Sequence, residues 1–158
     1  MTTRRVVGVL VSLAVLVAAG GGYAVWYHGH HGQIADPKTV PLPSSQASPA
    51  VVSAYFAQHG TALRTLLRDT TNLPPDATAG SCNATAAILS PLGSPRALVD
   101  AAIGIPDPGL RDAATNHVQA VITYLGRCGT SADLSGAAKQ VSFTATVFAR
   151  LLQRDGLQ

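Results

Sequence analysis

Three expected helix starts in this chain carry the same punctuation, a capping side chain directly before a proline: Ser48-Pro49, Ser94-Pro95 and Asp107-Pro108. The cap oxygen accepts a backbone N–H that the first helical turn leaves without a partner. A proline at the first helical position has no N–H to leave unpaired. Apolar residues then recur at helical spacing after the first and third of these starts. Val52, Phe56, His59, Leu63 and Leu66 advance by threes and fours, and so do Leu110, Ala114, Val118, Val121, Leu125 and Cys128. A further stripe, Leu134, Ala138, Val141, Ala145, Phe148 and Leu152, follows a start expected at Thr130 or Ser131. There Asp133 would sit in the first turn, at the positive end of the helix dipole. One-sided stripes of this kind describe helices packed on a common core. No alternating strand pattern of comparable length competes with them.

The region between the first and third stripes is less regular, because Pro91, Gly93 and Pro95 interrupt it. Two short helices are expected there, Ser81 to Leu89 and Pro95 to Ile103, joined by a kink. Short loops between legs favour antiparallel neighbours. In an up-down-up-down arrangement Cys82, at the start of the second leg, and Cys128, at the end of the third, fall at the same end. A bridge between them is expected in an oxidising compartment, with an idealised gain of about 4 kcal/mol from loop closure. The expected fold is all-α: a single N-terminal transmembrane helix, then a small antiparallel four-helix bundle with a broken second helix and one disulfide.

The transmembrane part rests on an uncharged run from Val6 to Tyr27, about 33 Å long as a helix, close to one hydrocarbon core. Arg4 and Arg5 precede it, which places the N-terminus in the cytoplasm and everything after Tyr27 outside. Trp26 and Tyr27 stand where aromatic rings favour the interface. The alternative is a cleaved signal peptide with its cut near Ala19, which would release the rest as a secreted protein. The apolar character continues past Ala19, which favours a retained anchor. The expected layout is residues 1–5 cytoplasmic, 6–27 anchor, 28–48 a Pro/Gly/Ser/His linker, and 49–158 an extracytoplasmic helical domain.

The linker opens with His28, His30 and His31 between glycines, a candidate divalent-metal tract. Gly29 and Gly32 argue against a helix that would align these rings, and Asp36 is the nearest carboxylate. A structural zinc site normally takes four ligands from a fixed scaffold. The tract therefore reads first as a hydrated membrane exit that gains charge below about pH 6.5, with weak divalent-metal binding as the alternative. A second candidate is a shared metal or haem site from His59 and His117 on the first and third helices, with Tyr55 or Tyr124 adding an oxygen ligand. The pair His59-Gly60 is also a candidate bend in the first helix.

Catalytic patterns are sparse. The chain contains no Glu, which removes an H-E-x-x-H zinc motif, and it carries no Walker loop, G-x-G-x-x-G or G-x-S-x-G. Asp107 and Asp112 read as a cap and a first-turn charge. The net charge of +3 is small and its basic residues are scattered, which argues against nucleic acid. The expected function is a membrane-anchored, non-enzymatic extracytoplasmic module that binds a cell-envelope protein, lipid or wall component and needs no cofactor. The alternative is a metal- or haem-binding protein using one of the two histidine groups.

Overall fold

The computed structural model describes residues 36–157 apart from Ala77, Gly129, Ser131 and Ala132. The uncharged run and the His28–His31 tract lie outside the described residues. Among those described, no helix is long and apolar enough to cross a membrane.

Five α-helices make up the described part: α1 (Pro49–Thr70), α2 (Ala79–Leu89), α3 (Pro95–Ile103), α4 (Pro108–Arg127) and α5 (Ser135–Arg154). A single 3-10 turn, Ser90–Leu92, follows α2, and no strand occurs among the described residues. The punctuation works as the sequence suggests at two of three starts. Ser94 accepts the Ala97 N–H and Asp107 accepts the Leu110 N–H. Ser48 occupies the cap position of α1 but makes no side-chain cap bond. Thr78 caps α2 through the Ser81 N–H. Gly93 turns the chain between the 3-10 turn and α3 with φ +96°, a conformation that favours glycine.

The last helix begins later than the sequence suggests. Leu134 is fully buried and donates its N–H to the Pro75 carbonyl, while Asp133 pairs with Asp76 in an isolated bridge. These contacts engage Asp133 and Leu134 ahead of the helix. Asp133 therefore lies before the helix, where its carboxylate accepts the Ser135 N–H.

The helices enclose a core of Val52, Phe56, Leu63, Leu66, Leu110, Val118, Val121, Tyr124, Phe148 and Leu151 with their neighbours. Every residue of the α5 stripe is buried. In α1 the stripe departs at one position: His59 is exposed and Gly60 is buried instead. The helix runs unbroken through this pair, because the missing Cβ of Gly60 leaves room for the Phe56 ring.

Contacts at the two ends order the elements. At one end, Tyr124 donates to the Pro74 carbonyl at 2.8 Å, and Cys82 is bridged to Cys128 with a Cα–Cα distance of 5.5 Å. That end joins the exit of α1, the start of α2, the exit of α4 and the start of α5. At the other end, Tyr55 donates to the Ala101 carbonyl at 2.5 Å. There the start of α1 meets the exit of α3.

Residues 36–48 carry a linker's composition, yet they belong to the same compact unit as the helices. Val40 is buried, and Leu42 and Ala47 pack against the core. Pro37, Pro41 and Pro43 fix φ at three positions of this stretch at little entropic cost, and residues 37–39 turn, with the Thr39 N–H donating to the Asp36 carbonyl at 2.9 Å. The arginines of α5 take up the carbonyls of Pro37, Val40 and Pro43.

Candidate functional site

Two buried polar centres stand out. The first is His117, in the middle of α4 and fully buried. Its Nε2 lies 3.1 Å from the Thr70 Oγ1 on α1, and its Nδ1 lies 3.2 Å from the Thr144 Oγ1 on α5. The Phe148 ring sits 6.3 Å away, centroid to centroid. Each threonine also reaches a carbonyl of its own helix, Thr70 to Leu66 and Thr144 to Gln140 and Val141. A neutral imidazole has one N–H and one bare nitrogen. One threonine accepts from the ring N–H and keeps its carbonyl bond, and the other gives its single hydroxyl proton to the bare ring nitrogen in place of its carbonyl. Burial pushes the His117 pKa down to about 4, so the ring is neutral at pH 7. The arrangement ties three helices together and has spent both ring nitrogens.

The second centre is Asp107, whose side chain is completely buried at the start of α4. One carboxylate oxygen accepts the Leu110 N–H at 2.9 Å and so caps the helix. The other accepts the Gln46 N–H at 2.7 Å, the Ala47 N–H at 3.4 Å and the Ser45 hydroxyl at 3.2 Å. Arg154 adds a guanidinium nitrogen at 3.9 Å. Desolvation acts to raise this carboxylate's pKa. The bonds from the Gln46, Leu110 and Ala47 N–H groups and the Ser45 hydroxyl outweigh it, so the net shift is downward. A buried carboxylate with this many donors stays ionised and acts as an anchor.

Around Asp107 the arginines of α5 complete a clamp on residues 37–47. Arg150 donates to the carbonyls of Pro37 at 2.7 Å and Val40 at 2.8 Å. Arg154 donates to the Pro43 carbonyl and pairs with Asp155. Beside the clamp opens a surface cavity of about 380 Å³, lined by Ser45, Pro49, Val52, Arg154, Asp155 and Gly156. A second cavity of about 20 Å³ lies beside the junction of α2 and α3, between Leu66, Leu89, Leu98 and Val118.

The residues nominated from the sequence are placed apart. His59 is exposed with its ring against Tyr55, while His117 is enclosed between two threonines. Tyr55 and Tyr124 spend their hydroxyls on the Ala101 and Pro74 carbonyls. The structure gives the His59–His117 pair no shared site, because one ring lies outside the core and the other has both nitrogens engaged within it. Among the described residues no group of three or more His, Cys, Asp or Glu is arranged to hold a metal ion. The clamp of Arg150, Arg154 and Asp107 escapes sequence reasoning. Its only signal is the coincidence of a proline-rich stretch with two arginines one helical turn apart, which names no partner by itself.

No known protein family, curated protein or solved structure matches the chain.

Proposed function

We propose that this chain is a membrane-anchored module whose helical domain lies outside the cytoplasm and binds a partner in the cell envelope, without catalytic chemistry of its own. The observation that carries the reading is the Cys82–Cys128 bridge. A bridge that fixes helix ends to one another suits an oxidising compartment. It agrees with the export implied by Arg4, Arg5 and the uncharged run after them. The finer architecture that goes with this reading has four legs running up and down, the second made of α2 and α3, preceded by one membrane-spanning helix.

Binding is favoured over catalysis because the groups best suited to chemistry are engaged in holding the fold. His117 joins three helices, Asp107 caps α4, and both core tyrosines bond backbone carbonyls. Val51 and Ile103 are the large apolar side chains left exposed among the described residues, each at 52%. They offer contact points for an envelope protein, lipid or wall component.

The test is fractionation of the full chain carrying a C-terminal tag. Retention in carbonate-washed membranes, digestion of the tag by protease added to intact spheroplasts, and a disulfide on non-reducing gels are the expected results. A soluble, reduced chain protected from external protease overturns the reading. A photo-crosslinker at Val51 or Ile103 then reports the partner as a discrete adduct.

A further inference from the structure

We propose that residues 36–47 form a strap with a docked and a released state, and that release lengthens the tether between the helical domain and whatever precedes Asp36. The functional meaning rests on the anchor reading above; the two-state behaviour does not.

The docked state is held by few, separable contacts. Arg150 grips the Pro37 and Val40 carbonyls, Arg154 grips Pro43, and Asp107 grips the N–H groups of Gln46 and Ala47. Val40 is the one strap residue that is fully buried, while Lys38, Pro43, Ser44 and Gln46 are exposed. Most of the polar grip is on backbone atoms, and the apolar part of the contact is confined to Val40, Leu42 and Ala47. The prolines fix φ at three positions in either state, so docking orders less freedom than it would in an ordinary loop. The helices are held differently, by a continuous core and by a disulfide that spans a sequence separation of 46. Tension arriving from the N-terminal side meets Arg150 with Val40 and Leu42 first, then Arg154 at Pro43, then Asp107, before it reaches α1. Full release frees residues 36–47, whose fully extended span is about 42 Å at about 3.5 Å per residue. The bundle would keep its fold while its working distance changes.

Hydrogen exchange on the full chain in mild detergent, with trypsin cleavage at Lys38, tests this. The Gln46 and Ala47 amides are expected to exchange at least ten-fold faster than mid-helix amides of α4. In Arg150→Gln, strap exchange and Lys38 cleavage both rise about ten-fold more, while α4 exchange and the thermal midpoint hold. Val40→Asn, within the strap itself, gives the same result by a route that leaves α5 untouched. Strap amides exchanging in step with α4, or either variant loosening α4 as much as the strap, overturns the proposal. Fractionation reads the anchor separately, so a soluble chain with a fast strap refutes the anchor alone.

Discussion

Asp107 holds the backbone N–H of Gln46 at 2.7 Å across 61 residues of sequence, and with its other oxygen it caps α4 through Leu110. One buried carboxylate thus serves both a helix start and the segment leading into the domain. Asp107→Ala removes the cap, at about 1 kcal/mol, and strands buried donors that held it, for a total of about 2–4 kcal/mol. Asp107→Asn keeps a cap oxygen and loses the charge, so it should cost about half as much. Urea unfolding of the two variants beside the parent checks the order.

His117 predicts how stability depends on pH. Its folded pKa of about 4 lies below the unfolded value of 6.5, so the unfolded chain takes up the proton first as pH falls. The contribution is fully present above pH 6.5 and is lost progressively down to about pH 4. Its size is about 3 kcal/mol across that window. Asp107 acts in a lower one, because its depressed pKa costs stability only as pH falls below the ordinary carboxylate value of 3.8. Denaturation midpoints at pH 7, 5.5 and 4.5 should decline in the parent and stay nearly level in His117→Gln.

The helices were legible because their signals are local. Ser94, Asp107 and the threefold and fourfold apolar spacing act within a turn or two of chain, and the separation of α2 from α3 follows from Pro91, Gly93 and Pro95. The cysteine pairing was legible one step further out, since it needs only that the start of α2 and the end of α4 lie together. Three features were hidden because distant chain decides them. The late start of α5 depends on the Pro75 carbonyl and on Asp76. The burial of Gly60 in place of His59 depends on the Phe56 ring. The docked strap depends on Arg150 and Arg154, more than 100 residues away. Composition alone reads proline-rich chain as a free linker, and it carries no information about an arginine facing its carbonyls.

The Cys82–Cys128 bridge spans most of the middle of the chain and restricts the unfolded state accordingly. Replacing both cysteines with serine should lower stability by about 2–4 kcal/mol, which for a domain of this size is a fall in thermal midpoint of roughly 10–15 °C. Calorimetry of the variant and of the reduced parent should agree. A variant that melts at the parental temperature would mean that helix packing alone sets the stability.

The His28–His31 tract should bind Zn(II) or Cu(II) only weakly, because glycines separate the rings and no carboxylate adjoins them. Titration calorimetry of the full chain beside a variant with His28, His30 and His31 changed to Ala measures this. Tight one-to-one binding that the triple change abolishes would make the tract a metal site. Tight binding that survives it would point to His59.

Gly60 and Gly126 make a matched pair for the packing argument. A Cβ at Gly60 would stand 2.5 Å from the Phe56 Cδ1 and 3.0 Å from its Cγ. That ring is itself buried, with the Arg64 guanidinium 5.9 Å from its centroid, so it has little room to retreat. Gly60→Ala gains about 1 kcal/mol of helix propensity and loses about 1–3 kcal/mol to crowding, so the net change should be destabilising. Nothing lies within 4 Å of a Cβ at Gly126, near the end of α4. Gly126→Ala should therefore keep most of the propensity gain and raise stability by about 0.5–1 kcal/mol. Thermal melts of the two variants are expected to move in opposite directions. If both rise, the Phe56 ring has room to shift and Gly60 is not needed for its packing.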